Sequence, residues 1–251
     1  MGHYALQDLN MAGVQWELSE APSLCDAKKS QNQQISTNTT NRTNNKPVII
    51  PAAAPITLET VKSMVVRPND IDSLIRMIME FNHPLRTGAT NVVMPNIAKN
   101  PNGLVIITDM PSTDDDLSGT ILSGMAGEMI DKMLAAINMS RDIVSIVPLL
   151  FWRTPGGRTP NREELDLNRP FVDKMIEMLK PRLVVTLGTL AANEIAKTNL
   201  TSTHGNEIQS DMGYKIVPIY HPNYLILKPS AKRDVWDALQ NVQKMLKKPE
   251  K

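Results

Sequence analysis

From residue 103 onward, short apolar runs alternate with stretches whose apolar positions recur every three or four residues. "LVIITD" (104–109), "DIVSIV" (142–147), "RLVVTLG" (182–188) and "KIVPIY" (215–220) are of the first kind. Runs this short and this continuous read as strands buried on both faces. Between them lie helical patterns. "GEMIDKMLAAI" (127–137) turns Ile130, Met133, Leu134 and Ile137 to one side. "PFVDKMIEMLK" (170–180) carries a proline at its start, where a missing N–H does no harm. "TLAANEIAKT" follows the third strand, and a last helix over about 231–246 faces Val235, Leu239, Val242 and Leu246 inward. Alternating buried strands and helices predict an α/β fold: a three-layer α/β/α arrangement with a central four-stranded parallel sheet.

The pattern is different upstream. Residues 1–24 hold one short helical segment, "YALQDLNMAGVQWEL". Residues 25–56 form a polar, then proline-rich, tract with almost nothing apolar to bury, and a disordered linker is expected there. Order is expected from Thr57, where "TLETVKSM" opens as a capped helix. A second helix over about 68–81 places Ile71, Leu74, Ile75 and Ile78 on one face. The domain is therefore drawn at 57–251.

Composition narrows the possibilities. Of 251 residues, 41% are hydrophobic and 21% charged, as in soluble domains. The net charge of +1 gives no general drive toward nucleic acid, so any such affinity needs a local patch. A single cysteine, Cys25, excludes an internal disulfide framework and suits a reducing compartment, the cytoplasm. No apolar run is long enough for a membrane span, and the N-terminus lacks a signal-peptide pattern. No membrane partner is expected.

Ligands of open parallel sheets bind at the carboxyl ends of the strands. Three conspicuous stretches sit there: "TDMPS" after the first strand, "WRTPGGRTP" after the second and "HPNYL" after the fourth. His221, between a buried strand and Pro222, has its backbone fixed and its ring aimed over that edge. Asp109 is either a turn cap or a functional carboxylate.

These pieces, from about Asn82 to Leu246, resemble the uracil-DNA glycosylase superfamily, most closely its family 4. "HPNYLILKPSAKRDVWDALQNVQKML" is similar to the family's closing His-Pro-Ser-Tyr-Leu-Leu type loop and basic helix. "WRTPGGRTPNREEL" resembles its Arg-Pro-Pro-Gly-Asn-Arg-Thr-Pro stretch, and "IITDMPSTDDDLSGTILSGMAGEMIDKML" the segment opening with Gly-Glu-Ala-Pro-Gly. The resemblance implies an enzyme, a DNA N-glycosylase that hydrolyses the bond to uracil or another damaged base. It implies that His221 stabilises the departing base and that Asp109, in place of a glutamate, serves the sugar and the attacking water. Met110, Pro111, Ser112 and Leu122 would form the base pocket, with Leu122 where the family has a stacking aromatic. Asn223, Tyr224 and Leu225 would form the loop that presses into the minor groove. Arg153, Arg158, Lys228, Lys232 and Arg233 would contact DNA. A monomer is expected.

The departures carry their own expectations. The family's four cluster cysteines fall at Glu80, His83, Trp152 and Asn168, so no iron–sulfur cluster, no other cofactor and no metal are expected. The asparagine that reads the pyrimidine edge falls at Pro148, which offers no donor. The alternative is thus a catalytically degenerate DNA-binding protein on the same fold.

Overall fold

A computed structural model of the protein describes residues 56–247. The N-terminal helical segment and nearly all of the 25–56 linker lie outside the described residues. Two helices open the domain. α1 (Leu58–Val65) starts where Thr57 accepts from the Thr60 N–H, and α2 (Ile71–Glu80) starts at a reciprocal capping box between Asp70 and Ser73.

The chain then enters the layered part. β1 (Leu104–Thr108) leads to α3 (Thr113–Ser118) and α4 (Gly124–Ala135); β2 (Ser145–Pro148) leads to α5 (Arg162–Leu179). β3 (Leu183–Leu187) is followed by α6 (Thr189–Ile195) and α7 (Leu200–Thr203). β4 (Ile208–Gln209), β5 (Lys215–Ile219), α8 (Pro222–Leu227) and α9 (Lys232–Lys247) complete it. The sheet order is β2-β1-β3-β5-β4. The first four are mutually parallel, and β4 joins the edge antiparallel.

Each parallel strand buries both faces. Val105, Ile107, Val147, Val184 and Ile216 face a cluster with the helical residues Val61, Leu74, Ile78, Phe171 and Met175. Leu104, Ile106, Ile146, Val185 and Val217 face a second cluster with Ile130, Leu134, Val235, Leu239 and Val242. Each buried aliphatic side chain contributes roughly 1.5–3 kcal/mol, which is why the strand sequences are apolar at most positions on both faces.

Several expectations need correction. The sheet has five strands, because the two-residue β4 is too short to leave a periodic signal. β2 begins at Ser145: the backbone N–H groups of Ile143 and Val144 instead bond the Ser140 carbonyl in a turn. Pro148, expected to stop the strand after Val147, is itself its last residue, and β2 is an edge strand, where proline is tolerated. α5 runs straight through Pro170, because the Asn161–Glu164 capping box starts the helix eight residues earlier than the proline suggests. The segment 222–227, expected as a loop, is a helical turn.

Candidate active site

The carboxyl ends of β1 and β5 meet at one cavity of about 340 Å³. Thr108, Asp109, Met110, Pro111, Ser112, Leu122, Arg153, His221 and Asn223 line it, so most of the residues singled out in the sequence do converge.

His221 lies two residues past the end of β5 and caps α8. Its Nδ1 accepts the Asn223 backbone N–H at 3.2 Å, so the ring proton of the neutral imidazole sits on Nε2. That nitrogen lies 3.1 Å from the Thr108 hydroxyl. Burial lowers the ring's pKa to about 4, against an opposing pull from Asp115. At neutral pH His221 is thus an uncharged donor with a fixed tautomer.

Asp109 follows β1 and reaches past β3 to the start of α6. Its Oδ1 accepts the Ala191 N–H at 2.6 Å. Gly188, at φ +100°, makes this possible: a Cβ there would lie 2.1 Å from Asp109 Oδ2. Burial raises the Asp109 pKa to about 6, although the N–H groups of Ala191 and Leu190 hold it down. The carboxylate is therefore both a cap for α6 and a cavity wall. Above about pH 6 it is ionised while His221 is neutral.

Between them, Asp115 fixes the third wall. It closes the capping box of α3 with Ser112 and takes both the N–H and the hydroxyl of Ser123. Asp116 accepts from the backbone of Thr90 and Asn91. Two members of the acidic run are thus buried and spent on backbone donors, not turned toward a polyanion. Leu122 lines the cavity with φ +50°, an unfavourable backbone for a branched residue, and Arg141 holds it by bonding the carbonyls of Ile121 and Leu122.

Other sequence candidates are placed elsewhere. Leu225 is only 1% exposed and packs in the core, so it is not available to enter a groove. Tyr224 is 37% exposed, stacked at a tilt on Tyr220, with Lys228 Nζ 5.7 Å from its ring centre. Arg158 forms two hydrogen bonds with the buried Glu164 carboxylate, at 2.9 and 2.5 Å. Lys232 and Arg233 are exposed on α9. Sequence reasoning missed Leu227, which is 84% exposed one helical turn beyond Asn223 and so on the same face of α8. It also missed Thr108, whose only signal was a polar residue closing an apolar run.

The family model for the uracil DNA glycosylase superfamily matches residues 95–241. The chain belongs to the uracil DNA glycosylase superfamily. It is thereby placed among enzymes, the DNA N-glycosylases of the hydrolase class. It is 27% identical over 174 residues to a type-4 uracil-DNA glycosylase of Archaeoglobus fulgidus, covering 65% of this chain and 87% of that one. A type-4 uracil-DNA glycosylase of Thermotoga maritima is 29% identical over 170 residues, covering 66% and 88%. One from Pyrobaculum aerophilum is 28% identical over 171 residues, covering 64% and 87%.

These relatives correct the expectation that no cofactor is involved, because the type-4 enzymes are a family that binds an iron–sulfur cluster. The residues at the four positions read as its ligands do not fit a four-thiolate cluster. His83 has both ring nitrogens engaged, Nε2 with the Glu164 carbonyl at 3.0 Å and Nδ1 with the Leu85 N–H at 3.1 Å. Its ring stacks on Trp152, with centroids 4.8 Å apart and 5° between planes. Asn168 is buried and donates to the Leu149 carbonyl. Among the described residues, no helix is long and apolar enough to cross a membrane.

Proposed function

We propose that the protein hydrolyses the N-glycosidic bond of uracil, or of a related damaged base, in DNA. The observation that carries this reading is the pairing of a neutral, tautomer-fixed His221 with an ionised Asp109 across one cavity. Cleavage of the bond leaves negative charge on the base and positive charge on the sugar. The neutral His221, with its N–H on Nε2, lies on the side of the cavity where the first is stabilised by hydrogen bonding, without a charged imidazolium. The Asp109 carboxylate stabilises the second and holds the water that attacks the sugar carbon. The electron pair of the broken bond leaves with the base; the water oxygen forms the new bond and passes its proton to the Asp109 carboxylate, which gives it up to the base anion or to solvent.

Met110, Pro111 and Leu122 supply an apolar slot for a base turned out of the duplex. Leucine covers a base face without aromatic stacking, a difference of roughly 1–3 kcal/mol per base. Ser112, Asn223 and Arg153 supply the polar lining. Arg153, at the rim, is suited to a flanking phosphate. With Leu225 in the core, Tyr224 and Leu227 are the exposed apolar groups of α8 suited to filling the gap left in the stack.

The test is an abasic-site cleavage assay on oligonucleotides bearing uracil, hypoxanthine, xanthine or a plain mispair. Release of one base that is lost in His221→Ala and Asp109→Ala establishes the activity and names the substrate. DNA binding without release of any base overturns it in favour of a binding protein.

A further inference from the structure

We propose that the Thr108 hydroxyl makes the hydrogen bond to the departing base and that His221 polarises it. The proposal rests on the glycosylase reading above and adds a residue to it. Thr108 is the last residue of β1 and is 1% exposed. Its backbone is held from three directions: in register with Pro148 on one side, with Leu187 on the other, and through its carbonyl to the Leu149 N–H at 2.9 Å. The side chain still reaches the cavity, where its oxygen lies 3.1 Å from His221 Nε2.

The direction of that bond follows from the other ring nitrogen. Because Nδ1 accepts from Asn223, Nε2 carries the proton and donates it to Thr108 Oγ1. The hydroxyl's own proton takes no part in that bond. Among the described residues it has no acceptor, which leaves it for the cavity. A hydroxyl that accepts one hydrogen bond donates a stronger one. The order is therefore His221 Nε2–H to Thr108 Oγ1, then Thr108 O–H to an oxygen of the base. No proton changes owner along it: the base leaves with the bonding pair, and the hydroxyl holds its charge.

The experiment compares Thr108→Val, which keeps the shape and loses the hydroxyl, with Thr108→Ser, which keeps it. Single-turnover release is measured on whichever base the wild-type protein excises, with DNA affinity measured in parallel. The expected result is a roughly tenfold to hundredfold slower release for the Val variant, unchanged DNA affinity, and restoration by Ser. In a His221→Gln background, Thr108→Val is expected to add little further loss, because both act through one bond. Wild-type rates in Thr108→Val, or losses that multiply in the double variant, overturn the proposal. A second readout needs no activity: the His221 ring resonances in a nitrogen-15 correlation spectrum at pH 7. They are expected to show protonated Nε2 in the wild type and to shift in Thr108→Val but much less in Thr108→Ser. Unmoved ring signals overturn the link. Failure of the wild-type protein to release any base overturns the glycosylase reading itself, an outcome separable from the others.

Discussion

Asp109 and His221 carry opposite contributions to the pH dependence of stability, and removing either one exposes the other. The folded pKa of Asp109 is raised from 3.8 to about 6. The native state thus holds its proton more firmly than the unfolded chain does. Its favourable contribution is complete below pH 3.8 and is lost as pH rises through about 6. At 1.36 kcal/mol per unit this is about 3 kcal/mol. The folded pKa of His221 is lowered from 6.5 to about 4. Its contribution is complete above pH 6.5 and is lost as pH falls through about 4, again about 3 kcal/mol. Between pH 4 and 6 the two slopes oppose each other in the wild-type protein. Urea unfolding at a series of pH values separates them, with each variant compared with wild type so that all other groups cancel. Asp109→Asn is expected to gain about 2–3 kcal/mol on wild type between pH 4 and 7.5. His221→Gln is expected to lose a similar amount over the same range. A difference that stays constant with pH, for either variant, refutes the assignment of these shifts to burial at this cavity.

The same values predict that base release falls as pH drops below about 6, with the slope of a single proton; a profile flat to pH 5 would exclude an ionised Asp109 from the mechanism. Leu225→Ala is expected to cost about 2–5 kcal/mol in urea unfolding, whereas Leu227→Ala leaves stability within about 0.5 kcal/mol and weakens binding to damaged DNA. Gly188→Ala is expected to lower both stability and activity, since its Cβ would occupy the place of Asp109 Oδ2; unchanged base release would show that the Asp109 position is not required. Arg153→Gln is expected to reduce the salt dependence of DNA binding by about one phosphate contact, and Arg158→Gln to reduce stability instead, by leaving buried Glu164 without its partner.

Much of the fold is legible in the sequence alone, and the rest is hidden for definite reasons. The four parallel strands show in the sequence because a strand covered on both faces is apolar at nearly every position, as "LVIIT" and "LVVTL" are but for one threonine each. His221 and Asp109 show because strand ends are where such sheets bind ligands. What sequence could not convey is which way a side chain turns once a loop becomes a helix. The 222–227 segment reads as a loop because Pro222 and Asn223 look like turn residues. His221 instead caps it as a helix, and helical spacing then sends Leu225 into the core and Leu227 outward. Nor could it convey that Asp109 would be shared between cavity and helix, since that depends on Gly188, 79 positions away in the chain, leaving room for it.

Around Glu80, His83, Trp152 and Asn168 it is again packing, not residue type alone, that decides what each side chain does. In the fold, Trp152 and Asn168 are fully buried, His83 lies flat against Trp152, and Phe81 packs on both Trp152 and Phe171. The His83 ring bonds the backbone of Glu164, whose carboxylate binds Arg158 of the loop that carries Arg153. The aromatic group therefore bears on the active-site loop through Glu164 and Arg158. Substitutions in it are expected to reach the cavity by displacing Arg153, not by any direct contact with the base.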